Sequence, residues 1–344
     1  MKFGILGSGS WGTALAKILT DNGQSIYWWN RSEAAIQQFK LRSHNTQYLP
    51  SAKFDINQLS LTTNAVEVID NSDVIVVAIP AAYATGALQD LHPAIFSGKK
   101  IVSAIKGILP EDNLLLNDYL KENFSVPIED YFAVLGPCHA EEVASEKLSY
   151  LTFTGVDEVA TSSIAYHFKT PYLNTVLNKD IYGVQYAAVL KNIYAVAAGM
   201  AHGLDYGDNF LSVLIANSAD EMAGFLRTAG IINAEVGYID HSTVSSQAHN
   251  NYAASVYLGD LLVTCYSLHS RNRAFGNMIG KGYSVRAAQL EMSMVAEGYY
   301  ASKCMNFIND TIGAQMPIAT AVYNILWNNF SAREGFSEIE KTLI

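Results

Sequence analysis

Three glycines near the start of the chain, in Gly7-Ser-Gly9-Ser10-Trp11-Gly12, have the spacing of a dinucleotide-binding fingerprint. The first permits a tight turn, the second keeps a side chain away from a pyrophosphate, and the third lets a helix pack closely on a strand. Such a turn needs a strand before it and a helix after it. The apolar run Lys2–Leu6 and the small-residue run Thr13–Leu19 supply both. The helix then starts with unpaired N–H groups and its positive dipole end facing the phosphates. About 20 residues further on, an acidic residue would hold the ribose 2′-hydroxyl of NAD. The sequence there reads Trp29-Asn30-Arg31, and an arginine can pair with a 2′-phosphate. The cofactor expected is therefore NAD or NADP, with NADPH tolerated or preferred; the alternative is a solvated loop arginine.

The elements that carry this turn extend through the first half of the chain. Short runs rich in β-branched and aromatic residues, such as Ser25–Trp29, Asp73–Ile79, Lys100–Ile105, Phe132–Leu135 and Ser149–Phe153, alternate with helical patterns. That alternation predicts a mostly parallel sheet covered by helices. Thr170–Asp180 reads as a last strand and a connection, and from about Gly183 the chain becomes long Ala-, Leu- and Met-rich segments. The expectation is an α/β Rossmann-type dinucleotide-binding domain over 1–180, then an all-α substrate-binding domain over 181–344, packed around a cleft.

Composition narrows the class. At 344 residues the length suits two domains. A net charge of −10 with only 22 basic residues argues against a nucleic-acid partner. Cys138, Cys265 and Cys304 are spaced neither as a metal site nor as a disulfide framework, so no metal is expected. The most apolar helical stretch, Val184–Ala201, carries Lys191 and Asn192 in its middle, and no membrane span is expected. A fingerprint starting at residue 7 leaves no room for a signal peptide before it, so a cytoplasmic protein is expected.

Further blocks occur in a fixed order: Asn45–Pro50, Ser103–Gly107, Gly136–Val143, Leu190–Gly199, Gly259–Cys265 and Ser270–Gly276. Together with the fingerprint they closely resemble the bacterial NAD(P)-dependent glycerol-3-phosphate dehydrogenases, from residue 1 to about residue 330. The resemblance implies reduction of dihydroxyacetone phosphate to sn-glycerol 3-phosphate, a phospholipid precursor, by a protein that is usually a homodimer. It makes Lys191 the proton donor. Among Ala187, Ala188 and Ala195 an ammonium is expected to have a lowered pKa, as suits a general acid near neutrality. It also implies that Lys106 binds substrate and cofactor, that Asp260 and Thr264 hydrogen-bond to Lys191 and the substrate, and that Ser270, Arg271 and Asn272 hold its phosphate. Gly136 and Cys138 would lie on the substrate side. Ser10, Trp11, Ala140, Arg271, Val295 and Glu297 would lie toward the cofactor.

Three places depart from the family pattern. Cys138 stands where serine or threonine is usual, a poorer hydrogen-bond donor. Leu214–Ser218 lacks a Thr-Arg pair, and Ser255–Leu258 replaces a run of smaller residues. These keep open a related hydroxyacid-type dehydrogenase with a different small substrate, or a catalytically idle nucleotide-binding homologue.

Overall fold

The computed structural model describes residues 1–231, 256–292 and 294–344; Ser255, one of the departures above, lies outside them. The chain forms two compact units, Met1–Ile105 with Leu114–Ile181, and Lys106–Asn113 with Tyr182–Ile344.

The first unit is built on eight strands: β1 (Phe3–Leu6), β2 (Ile26–Trp29), β3 (Leu59–Thr62), β4 (Val74–Val77), β5 (Lys100–Ser103), β6 (Tyr131–Leu135), β7 (Ser149–Thr154) and β8 (Leu173–Asn178). They form one sheet in the order β3-β2-β1-β4-β5-β6-β7-β8. All neighbours are parallel except β6 and β7, which run antiparallel. Seven helices connect them: α1 (Ser10–Asp21), α2 (Glu33–Arg42), α3 (Ala65–Asp70), α4 (Ala81–Leu88), α5 (Leu116–Phe124), α6 (Ala140–Ala144) and α7 (Glu158–Tyr166). Central strands such as Val74–Val77 are buried along their whole length, as a sheet covered on both faces requires. The edge strand β3 has no comparable apolar run; its Leu-Ser-Leu-Thr is only half-buried, and the sequence does not announce it.

One core cluster supports the glycine turn. Trp28 packs edge-on to Phe39 at 5.3 Å between ring centroids, and its indole N–H donates to the Gly7 carbonyl at 2.9 Å. The turn is thus tied to the middle of the hydrophobic core. α1 is anchored at its other end, where the buried Lys17 ammonium meets Asp21 at 2.7 Å and Glu146 at 3.0 Å.

Among its described residues the second unit is helical: α8 (Ile181–Gly203), α9 (Asp208–Thr228), α10 (Leu258–Tyr266), α11 (Arg271–Gly280), α12 (Val285–Glu291), α13 (Glu297–Ile312), α14 (Pro317–Trp327) and α15 (Ala332–Ile339). No helix among the described residues is long and apolar enough to cross a membrane. α8 and α11 approach each other closely. Gly199 and Gly203 on one helix, and Gly276 and Gly280 on the other, each lie where a methyl group would overlap the facing backbone. Two four-residue glycine repeats therefore let the backbones touch, and this fixes the rotation of α8 against α11.

Candidate active site

At the carboxyl edge of β1 the turn has the form a dinucleotide needs. Gly7 has φ +118°, in the region that favours glycine, and a Cβ there would strike the Ala78 carbonyl. A Cβ on Gly12 would overlap the Gly7 carbonyl, so helix and turn are in direct contact. Gly9 differs: a Cβ there would meet no protein atom within 4 Å. Packing therefore does not require glycine at this position, whereas a pyrophosphate lying against the turn does. Gly9 is also the N-cap of α1 and gives the helix no side-chain cap, and the first turn contains no acid. Ser10 and Trp11 open that turn, so the helix end is suited to an anion. Asn45 donates to the Ser8 carbonyl and to the Thr13 hydroxyl, both at 2.9 Å, which locks the loop in place.

Beside this turn lies a cavity of about 260 Å³ bordered by Ser8, Asn30, Ser32, Asn45, Gln47 and Tyr48. It lies at the end of β2, where the adenosine ribose is expected, and no acidic residue lines it. Arg31 is exposed between two of its lining residues. Further along the sheet, Gly136 takes φ +133° directly after β6. The buried Cys138 thiol donates to the Tyr150 carbonyl at 3.1 Å, and Ala140 opens α6.

The second unit gathers the other expected residues. Lys191, 3 % exposed on α8, meets the Oδ1 of Asp260 on α10 at 2.5 Å. The sequence shows Lys191 only among alanines; the structure adds a counter-charge, without which a buried ammonium is very costly. The second oxygen of Asp260, Oδ2, is buried and has no hydrogen-bond partner. Thr264 donates to the Asp260 carbonyl at 2.6 Å and lies 3.5 Å from Oδ1, so its hydroxyl hydrogen is turned onto its own helix and its oxygen remains able to accept.

Asn192, which the sequence reading did not place among the site residues, joins the remaining segments. Its amide donates to the Lys106 carbonyl at 2.8 Å, and its own carbonyl accepts from the Asn272 amide at 2.8 Å. Asn272 Oδ1 in turn accepts from the Gly298 N–H at 2.9 Å. The Asn272 side chain thus bridges α8 and α13, using its carbonyl and one of its two amide N–H donors. Arg271 is the first residue of α11, after the Ser270 cap, in a first turn without acids. A guanidinium on a helix N-terminus is suited to a phosphate. Glu297 opens α13 beside the Gly298 contact, and Val295 lies two residues before it. Asn217, in place of the Thr-Arg pair, bonds the backbone of Ile344.

These features coincide with a family. Residues 2–160 match NAD-dependent glycerol-3-phosphate dehydrogenase N-terminus, and residues 180–337 match NAD-dependent glycerol-3-phosphate dehydrogenase C-terminus. The chain belongs to the NAD-dependent glycerol-3-phosphate dehydrogenase family. Glycerol-3-phosphate dehydrogenase [NAD(P)+] of Agathobacter rectalis is 32 % identical over 342 residues, covering 98 % of this chain and 95 % of the relative. The Bacillus subtilis protein of the same name is 33 % identical over 328 residues, covering 95 % and 90 %. The fold is shared with the crystal structure of glycerol-3-phosphate dehydrogenase from Coxiella burnetii, with a TM-score of 0.86, 24 % identity and 98 % of each chain covered.

In this member of the glycerol-3-phosphate dehydrogenase family the Cys138 thiol is turned onto a backbone carbonyl, and hydride transfer needs no thiolate. Cys138→Ser is therefore expected to retain or raise turnover, since a hydroxyl is the better donor in the same place. Steady-state kinetics check this; loss of most activity in a folded variant contradicts it.

Proposed function

We propose that this chain transfers a hydride between NAD(P)H and C2 of dihydroxyacetone phosphate, giving sn-glycerol 3-phosphate, with Lys191 carrying the proton. The observation that carries the reading is the buried Lys191–Asp260 pair on a helix whose next residue, Asn192, is bonded to the phosphate-suited start of α11. A bound nicotinamide supplies the hydride. Lys191 donates a proton to the oxygen that becomes the product hydroxyl, and takes it back in the oxidation. Asp260 holds the ammonium in place, and its unpartnered Oδ2 accepts from a substrate hydroxyl. Lys106, fixed at its carbonyl by Asn192, adds a positive charge for the carbonyl oxygen. Arg271 and the first N–H groups of α11 hold the phosphate, which favours a phosphorylated substrate over a simple carboxylate.

For the cofactor, the absence of an acid in the cavity at the end of β2, together with Arg31 beside it, supports use of NADPH. Arg31→Ala is expected to weaken NADPH by roughly 1.5–3 kcal/mol, the cost of a lost charge-assisted phosphate contact, and NADH far less. Equal effects on the two KM values would show that Arg31 does not read the 2′-phosphate. We further infer a homodimer from the resemblance, and no nucleic-acid partner from the net charge of −10.

The test of the reaction is isotopic. Deuterium at the transferring C4 position of the reduced nicotinamide must appear at C2 of the glycerol 3-phosphate formed. Label lost to water, or a product unlabelled at C2, overturns direct hydride transfer.

A further inference from the structure

α14 begins without a cap of its own. Its N-cap residue is Met316, which offers no side-chain hydrogen bond, and Pro317 follows at the first helical position. The next two N–H groups, of Ile318 and Ala319, are satisfied instead from α9, by Glu221 at 2.8 and 2.9 Å. Glu221 is 6 % exposed. Its Oε1 also accepts from the Tyr194 hydroxyl at 3.2 Å, and Tyr194 is 1 % exposed. One carboxylate therefore ties α9 and α14 to α8, at a residue about one helical turn beyond Lys191.

The same layer reaches α10. Cys265 is fully buried, its thiol pushed up to about 12 by burial, and it interacts electrostatically with Lys191 and Asp260. Tyr194, likewise raised by burial, interacts with Cys265 and Glu221. Burial pushes the Glu221 carboxyl up to about 7, although the two backbone N–H groups and the Tyr194 hydroxyl favour its charged form, and Asp220 beside it raises it further. An apolar residue of the same size could fill this place but could not bond α14 and Tyr194 together.

We infer that Glu221 is a positioning residue for the reaction, holding α8 through Tyr194 so that Lys191 stays in register with Asp260. The inference rests on Lys191 being the proton carrier. An ammonium at the end of a four-carbon stem magnifies a small rotation of its helix. Misplacement by about 1 Å can cost 10²-fold in rate.

The test pairs Tyr194→Phe with Glu221→Gln, comparing kcat, KM, the pH profile of kcat and the melting temperature with the unmodified enzyme. Tyr194→Phe removes the tether to α8 and leaves the cap on α14 intact, so it isolates positioning from folding. The expected result in both variants is a kcat lower by about 10- to 100-fold, with KM for the dinucleotide unchanged. The alkaline limb of the reductive kcat profile is expected to move to lower pH, because an ammonium farther from its carboxylate loses its proton more readily. Wild-type kcat and an unshifted profile in Tyr194→Phe overturn the inference, whatever happens to the melting temperature, because Glu221 is then only a cap. If Glu221→Gln does not fold, Tyr194→Phe decides alone. Unmodified protein that does not reduce dihydroxyacetone phosphate refutes the function itself, an outcome distinct from a normal enzyme with a normal Tyr194→Phe variant.

Discussion

Lys191→Met is expected to lower kcat by about 10²–10⁴, the usual consequence of removing a positioned proton donor. Methionine keeps much of the lysine volume, and its thioether is tolerated in the apolar layer of α8. The change does leave Asp260 buried without its counter-charge, so the variant is expected to be less stable as well. Lys191→Met with Asp260→Asn removes both charges and separates the two effects: stability should recover while kcat stays low. The glycine turn belongs to the other unit, so dinucleotide titration of the same folded samples should give an affinity close to that of the unmodified protein. Turnover within a few-fold of the original would rule Lys191 out as the catalytic residue.

Arg271→Ala is expected to raise KM for dihydroxyacetone phosphate by roughly 10- to 100-fold, the equivalent of the roughly 1.5–3 kcal/mol that a charge-assisted hydrogen bond to phosphate contributes. The remaining N–H groups at the start of α11 keep part of the affinity, so binding is weakened rather than abolished. Arg271→Lys is expected to recover only part of the loss, because an ammonium does not reproduce the planar fork of a guanidinium. Unmodified enzyme should process unphosphorylated dihydroxyacetone very poorly. Similar kcat/KM with and without the phosphate would remove Arg271 from the phosphate site and favour a related hydroxyacid dehydrogenase.

Features encoded by neighbouring residues are readable in the sequence. The turn at Gly7, Gly9 and Gly12 is local, and its flanking runs already identify strand and helix. Long apolar strands such as Val74–Val77 are equally plain, whereas Leu59–Thr62 is missed because an edge strand needs no apolar run. Lys191 stands out as a lone charge in an apolar helix. What the sequence does not show is what each site residue touches. The pairing of Lys191 with Asp260 depends on how α8 and α10 pack. The use of the Asn272 amide as a bridge depends on the glycine contacts between α8 and α11, and on α13 starting beside them. Glu221 reads as an ordinary helical acid until the uncapped start of α14 is seen above it. Four glycines, at 199, 203, 276 and 280, are the sequence signal that could have revealed that crossing.

Reduction of dihydroxyacetone phosphate is tested by following NADPH and NADH oxidation by the purified protein with this substrate while the product is quantified. One glycerol 3-phosphate, of the sn-3 configuration, is expected for each cofactor oxidised. Cofactor oxidation without that product, or no oxidation with this substrate while a small 2-oxo acid supports it, would rule out dihydroxyacetone phosphate as the substrate.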